Sequence, residues 1–585
     1  MIVAVAAAFR IVLGRAQTIP AFLGDQIVYT GLAKGIALHG EPLLRGRLQT
    51  GYSLLYPLFL SPAYWLAATG AEAFEAAKIM NALAISLTAV PTYFLARRVV
   101  SHRWSLLVAA LTVAGPWTVY SALTTTESLF YPTFVTFAMA LAWMLERPTT
   151  RRQVVLLLLL AVLVGIRPQA LALAGSLVAA IVLDGHLRRS LPQALWRYGT
   201  TWVAFALIVT VAFAAAMLGL PVSTSGYSSL LGSLGHPLSM GKWAIWNLAD
   251  FELSLGVIAL TAFPLGLRQL LRRDASESDN AVGVVALTLA AGIFSSAVLL
   301  SATPYGLGIL HERYLFYLTP LVLIGLARWL TDDLPRQRLM ALPLAATAVL
   351  IVAALPTEIA LRSNNVEAPT MSFLRGLKDE VPGVTPRVWA IGLALVASAA
   401  FLLVRSKIVP LLSVGLAFVA LTAVNDYTGP LTIAQDRALA WVDRGLPSGE
   451  TATIVHLGFP RYGSCGEDAE YEQQGLIVWT EFFNTRADRV FHIAKDVRRD
   501  GLTSPELTIA PGGLIVDGKR PFRPGYVVID TRQPIVGKRL VRFDLSSLHS
   551  QFQMGASLTL WKVDPPLRFL THAQPLPARA DGSNC

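Results

Sequence analysis

Ala21-Phe-Leu-Gly-Asp25-Gln-Ile-Val-Tyr29-Thr-Gly-Leu-Ala33 lies between an apolar stretch that ends near Leu13 and an apolar block that starts near Tyr52. It places a single acidic residue at the mouth of an amphipathic helix. Ile27, Val28, Leu32, Ala33 and Ile36 share one helical face, which suits a membrane surface. Asp25 precedes that helix and has two readings. It is an N-cap that accepts backbone N–H bonds, or it is a carboxylate presented for chemistry. The rest of the chain bears on the choice.

The 585 residues are 54% hydrophobic and 15% charged, whereas soluble domains carry about 25% charged residues. This is the composition of a membrane protein. The net charge of +11 is not gathered into one basic face. Lys and Arg come in twos and threes between apolar segments, the pattern of cytoplasmic loops in a polytopic protein and not of a nucleic-acid binder.

An apolar run from Ile2 to Leu13, interrupted by Arg10, opens the chain. It is short for a span of about 20 residues, and it has neither the charged flank nor the cleavage site of a signal peptide. Further spans are expected at residues 75–96, 104–120, 127–145, 153–166, 169–184, 199–219, 251–267, 281–301, 314–330, 339–356, 386–404 and 408–424. Tyr52 to Ala68 is apolar but broken by Pro57 and Pro62, which marks a re-entrant or interfacial helix of the first loop, 19–74. The expectation is a mainly α, polytopic membrane protein with about 13 transmembrane helices over 1–424.

Alternate connections hold Arg97, Arg98 and Arg103; Arg147, Arg151 and Arg152; Arg188, Arg189 and Arg197. The series continues with Arg268, Arg272 and Arg273; Arg328, Arg336 and Arg338; and Arg405 with Lys407. The positive-inside rule puts these in the cytoplasm of a plasma-membrane protein, with the N-terminus inside and everything after Val424 outside.

Residues 425–585 read as a β-rich extracytoplasmic domain, plausibly a sandwich. Thr453-Ile-Val-His-Leu, Gly475-Leu-Ile-Val-Trp, Gly525-Tyr-Val-Val-Ile-Asp and Ser557-Leu-Thr-Leu-Trp-Lys-Val read as strands. Pro511-Gly-Gly and Asp517-Gly518 supply turns. The two cysteines, Cys465 and Cys585, both fall here. In an oxidising compartment they are candidates for a disulfide closing a loop of about 120 residues, worth roughly 4–5 kcal/mol at most.

This topology puts a set of polar residues on the outer face. They are Asp25; Glu127, which opens the span after Leu123-Thr-Thr-Thr; Arg167 and Gln169 in an outer turn between two short spans; His311-Glu312-Arg313-Tyr314 at the start of another; and Lys242 with Trp243 and Trp246 in an outer loop. Each also has an ordinary explanation as a helix-end or interfacial residue. Together they place carboxylates and cations around one outer cavity. Arg167, Arg313 and Lys242 suit a phosphate anion at a membrane surface. A nearby Asp suits proton removal from a hydroxyl nucleophile.

With those residues in view, the membrane part of the chain resembles the GT-C superfamily of integral membrane glycosyltransferases, which use polyprenyl-phosphate-linked sugars. Gly24-Asp25 followed by Tyr29 and Ala33 looks like that family's first-loop acidic motif. Thr126-Glu127-Ser128, Gly165-Ile-Arg167-Pro-Gln169 and His311-Glu-Arg-Tyr314 look like further recurring features. The resemblance implies a sugar transfer from a polyprenyl-phosphate donor to an extracytoplasmic acceptor, a cell-envelope glycan, lipid or protein. Asp25 is then the base with Glu127 as a second catalytic residue. Arg313, Arg167 and Lys242 bind the donor phosphate, and Tyr29, Gln169, His311, Glu312 and Tyr314 line the substrate. No cofactor is expected. In oligosaccharyltransferase-like members the first-loop Asp is a metal ligand, so a divalent metal stays open. Gln26 stands where many protein-mannosyltransferase-like relatives carry the second acid of a pair, which argues against a two-carboxylate metal site in this loop. A transporter or flippase of a lipid-linked sugar, or a scaffold with a sugar-binding outer domain, are the competing readings.

Overall fold

The computed structural model describes residues 1–20, 24–49, 51–188, 191–217, 237–272, 274–303, 308–331, 338–362, 367–404, 406–428, 436–457, 466–493, 504–545 and 556–570. The chain forms two compact units. One comprises Met1–Leu13, Asn81–Ser121 and Thr126–Pro430; the other comprises Gly14–Met80, Ala122–Thr125 and Leu431–Cys585.

The first unit is helical. Apart from 251–267, the segments expected to span lie largely in helix, from Ile2–Gly14 to Ile408–Thr428. Among the described residues, six helices are long and apolar enough to cross a bilayer, or up to eight if two bent pairs each count as one. Ile2–Gly14, Gly199–Val211, Met340–Ala353 and Ile408–Ala423 are apolar but shorter. Val203, Leu207, Val396, Leu416 and Val419 are exposed on such helices, a surface that water penalises and lipid does not. The chain is a multi-pass membrane protein.

Close helix contacts use small residues. A Cβ on Gly266 would fall on the main chain of Gly325, so helices Ile258–Leu270 and Thr319–Thr331 cross backbone to backbone. Helix Pro237–Ser254 corrects the expected span 251–267. Lys242, Trp243 and Trp246 lie on this helix and not in a loop. The polar residues Asn247, Asp250 and Glu252 depress its hydropathy, yet all three are buried. Leu238–Ser254 and Ile258–Leu270 meet at 101°. The turn uses left-handed backbone at Gly256 (φ 71°) and Val257 (φ 67°), and Thr261 donates to Glu252 Oε1 at 2.6 Å beside it.

The second unit is an α/β structure. Its main sheet has five strands: β1 (Ala452–His456), β2 (Ala487–His492), β3 (Tyr526–Asp530), β4 (Gly537–Asp544) and β5 (Ser557–Val563), in the order β2-β1-β3-β5-β4. β1 runs parallel to both β2 and β3, while β5 is antiparallel to β3 and β4. A parallel pair needs a crossover, and helix Gly466–Phe483 between β1 and β2 provides it. Gly475-Leu-Ile-Val-Trp is therefore helix, not strand, and the region is not a sandwich. Its apolar run satisfies either period, and length alone separates the two.

Alternate residues of the strands feed two cores. Ile454, Tyr526, Val528, Leu558 and Leu560 join Leu476, Trp479 and Phe483 of the crossover helix. Val455, Val527 and Ile529 join Ile515, Leu567 and Phe569 on the other face. There a three-stranded ribbon turns at Gly512, Gly513 and Gly518, all with positive φ, as the turn chemistry of the sequence requires.

The first loop belongs to this unit. Ile27, Val28, Leu32, Leu44 and Phe74 lie in the same core as Trp441, Trp479 and Phe483. The apolar face of helix Gly24–His39 is thus covered by protein and not by a membrane surface. Polar contacts add to it: Lys34 Nζ donates to Asn484 O at 2.6 Å, and Trp479 Nε1 to Pro20 O at 3.4 Å. Cys465 and Cys585, and the disulfide expected between them, lie outside the described residues.

Candidate active site

Asp25 sits in the first turn of helix Gly24–His39, and not ahead of it. Its side chain is exposed, and negative charge there is favoured by the helix dipole. The residues around it are fixed. Gln26 is buried and donates to Thr124 Oγ1 at 3.4 Å. Tyr29 is buried edge-on against Tyr56, with centroids 5.5 Å apart. The Tyr52 phenol is held in its neutral form, first by burial and then by the charge of Asp25.

The helical unit contains a buried ionic cluster built from the other predicted residues. Glu127 opens helix Glu127–Glu146. Arg167 stands at the break between Thr150–Ile166 and Pro168–Leu171, where Pro168 stops the first helix. Arg167 Nη1 donates to Glu127 Oε1 at 2.7 Å and to the Tyr317 hydroxyl at 2.9 Å. Its Nε and Nη2 make no hydrogen bond among the described residues. Its guanidinium also lies 4.3 Å from the Tyr314 ring centroid, a cation–π contact. Arg313 reaches Glu367 Oε1 at 3.1 Å and approaches Glu127 at 3.8 Å.

Glu367 gathers the far side of the cluster. His311 Nδ1 lies 2.8 Å from its Oε2, and its main-chain carbonyl accepts from Arg313 N at 3.2 Å. Burial opposes ionisation of this carboxyl, but the Arg313 charge and the His311 hydrogen bond outweigh it and hold it below the usual carboxylate range. Glu312 accepts from Trp117 Nε1 at 2.7 Å and from Thr370 N at 2.9 Å.

Sequence reading therefore found Glu127, Arg167, His311, Glu312, Arg313 and Tyr314, and the structure brings all six together. Gln169 is half-buried, and its Oε1 has no hydrogen-bond partner among the described residues. Lys242 is exposed on helix Pro237–Ser254. Four members of the cluster's surroundings went unread: Trp117, Tyr317, Glu367 and Asp250. Asp250 is buried within electrostatic range of Glu312 and makes no hydrogen bond among the described residues. Tyr317 alone carried a signal, three residues beyond Tyr314 on the same stretch of helix.

The arrangement offers fixed guanidinium groups in a water-poor setting, where hydrogen bonds to charged oxygens are strong. An apolar cavity of about 390 Å³ adjoins it, lined by Leu374, Leu393, Ala397, Leu412 and Leu416, and by Thr370, whose N–H caps Glu312. Among the described residues, no three His, Cys, Asp or Glu side chains form a metal-holding group.

The fold is similar to that of solved membrane proteins of the kind the sequence resemblance implies. Over 98% of both chains it is similar to ArnT from Cupriavidus metallidurans bound to undecaprenyl phosphate, with a TM-score of 0.52 and 14% identity. The apo form of that ArnT gives 0.45 at 14% identity, covering 96% of this chain and 97% of that one. An oligosaccharyltransferase from Archaeoglobus fulgidus, tethered with an acceptor peptide, gives 0.43 at 13% identity, covering 84% of this chain and 63% of that one. No protein-family model and no curated protein matches the sequence.

Proposed function

We propose that this protein is a glycosyltransferase that moves a sugar from a polyprenyl-phosphate donor to a hydroxyl acceptor outside the cytoplasm. The observation that carries the reading is an exposed carboxylate, Asp25, in the first turn of a helix whose next five residues, Gln26 to Thr30, are buried. That is what a general base requires: an accessible acid on a rigid support.

The division of labour follows from the chemistry. The acceptor oxygen attacks the anomeric carbon and Asp25 takes its proton. The bond from that carbon to the phosphate oxygen breaks, and polyprenyl phosphate leaves with the electron pair. Arg167 and Arg313, with Lys242 as a further cation, bind the phosphate and stabilise the charge that grows on it. Glu127 and Glu367 hold the two guanidinium groups in place. The apolar cavity beside Thr370 suits the lipid chain.

The test is to incubate purified protein with synthetic polyprenyl-phosphate sugars and exported-glycan acceptors, following released lipid phosphate and product mass. The 101° break beside Glu252 is the kind of discontinuity that secondary transporters use. Movement of the intact donor across a proteoliposome membrane, with no lipid phosphate released, would select that reading instead. Orientation is checked in a background with Cys465→Ser and Cys585→Ser. Ser448→Cys should react with an impermeant thiol reagent in intact cells and Thr150→Cys should not.

A further inference from the structure

The second unit encloses a cavity of about 280 Å³ that the transfer chemistry above does not use. One wall is a single face of helix Gly24–His39, with Thr30, Lys34 and Leu38 at successive turns. Asp25 lies at the opposite end of that helix, roughly 13 Å from Lys34 at about 1.5 Å per residue. A second wall is the hairpin Leu43–Leu44/Arg47–Leu48, and the third is Phe482 with Arg489 on the edge strand β2. The hairpin seats on Gly31 and Gly35. A Cβ at Gly35 would meet the main chain of Leu43, 2.7 Å from its nitrogen.

The charge of the lining is unequal. Lys34, Arg45 and Arg489 face a single carboxylate, Glu481, and His39 stands with them. Arg45 and Glu481 neutralise each other through three hydrogen bonds at 2.9, 3.1 and 2.7 Å. Lys34, whose Nζ also donates to Asn484 O at 2.6 Å, and Arg489 are the other cations of the lining. The Tyr64 hydroxyl lines the same space. Its residue is nine-tenths buried. Its polar neighbour is the Thr30 hydroxyl, which gives its own proton to the main chain of Gln26 and Ile27 and keeps its oxygen as an acceptor toward Tyr64. Phe482, Leu38 and Leu43 supply apolar surface.

We propose that this cavity binds an anionic saccharide, a glycan residue bearing a carboxylate or a phosphate. The cations take the acid group, the Tyr64 hydroxyl takes a ring hydroxyl, and the apolar walls take the sugar's C–H face. As the anchoring subsite of the acceptor it rests on the glycosyl-transfer reading; as a saccharide site it stands alone.

Full-length protein in detergent is titrated with trigalacturonate, glucose 6-phosphate, neutral maltotriose, inorganic phosphate and phosphatidylglycerol vesicles. Binding of either acidic saccharide is expected, with maltotriose at least tenfold weaker. Arg489→Ser, at an exposed position, should weaken it about tenfold, the loss of one charge-assisted hydrogen bond. Tyr64→Phe, which removes one atom, should weaken binding of the saccharides but not of inorganic phosphate. Failure to bind either acidic saccharide, or binding unchanged in Arg489→Ser, overturns the proposal. Capture by the lipid vesicles alone overturns it in favour of a membrane headgroup. Asp25→Asn should bind the saccharide as wild type does. If that variant transfers sugar normally while Arg489→Ser loses saccharide binding, the catalytic reading fails and this site survives.

Discussion

Arg167 and Glu127, 40 residues apart, form an ion pair at 2.7 Å with side chains only 4% and 2% exposed. Breaking a buried pair by removing one partner costs about 3–5 kcal/mol, because the other charge is stranded, whereas replacing both costs far less. Glu127→Gln should be more damaging than Arg167→Met, since Glu127 retains Arg313 at 3.8 Å when Arg167 is gone. The double variant should be closer to wild type than the sum of the singles. Thermal unfolding in detergent measures this, and strictly additive losses would mean the two charges act independently.

Arg45 is a non-glycine residue in left-handed backbone, φ 53°, followed by Gly46 at φ 75°. These are the signs of a two-residue hairpin turn that ordinarily takes Asn-Gly. Relieving the strain with Arg45→Asn gains about 1–2 kcal/mol at most. Losing the largely buried pair with Glu481 costs about 3–5 kcal/mol. The net effect should be destabilising, with faster amide exchange across 24–48. A stabilised variant would show that the turn, and not the ion pair, limits this region.

Glu367 ties Arg313 and His311 together, and its folded-state carboxyl titrates below the usual range. In the unfolded chain a Glu titrates near 4.3. The stability it contributes is therefore complete above that value and is lost as pH falls through the lower folded-state value, because the unfolded state then binds more protons. Melting temperature should fall below about pH 4.3 more steeply in wild type than in Glu367→Gln. Parallel curves for the two proteins would remove Glu367 from the acid transition.

The helices were legible because lipid-facing positions must be apolar, so composition alone marks them. Charges at span ends were legible for the complementary reason: Arg167 and His311-Glu312-Arg313 are costly there without a duty. Trp117, by contrast, is indistinguishable from an interfacial Trp, Glu367 from a polar loop residue, and Asp250 from a loop acid, because only the fold supplies their partners. The union of first loop and C-terminal region was invisible too. It rests on contacts such as Lys34 with Asn484, 450 residues apart, which no local period encodes. For the same reason a helix face designed for a protein core reads as one for a membrane surface.

Asp25→Asn decides between support and chemistry. The residue lies within the first helical turn and its side chain is exposed. Its interaction with the helix dipole is worth about 0.3–1 kcal/mol, and Asn keeps its shape, so the variant should still fold. As the base its worth is kinetic, since Asn matches the carboxylate in shape but cannot accept the acceptor's proton. General-base catalysis contributes about 10²–10⁴-fold, and transfer should fall by that much while donor binding, proposed to rest on Arg167 and Arg313, persists. Asp25→Glu, which keeps the carboxylate but displaces it by one methylene, should recover part of the rate. Turnover of a synthetic lipid-phosphate sugar by the three proteins, with donor affinity measured alongside, separates these cases. Equal turnover by wild type and Asp25→Asn would leave Asp25 a helix-end charge and turn attention to Glu312 and Asp250, two buried carboxylates without a guanidinium partner among the described ion pairs.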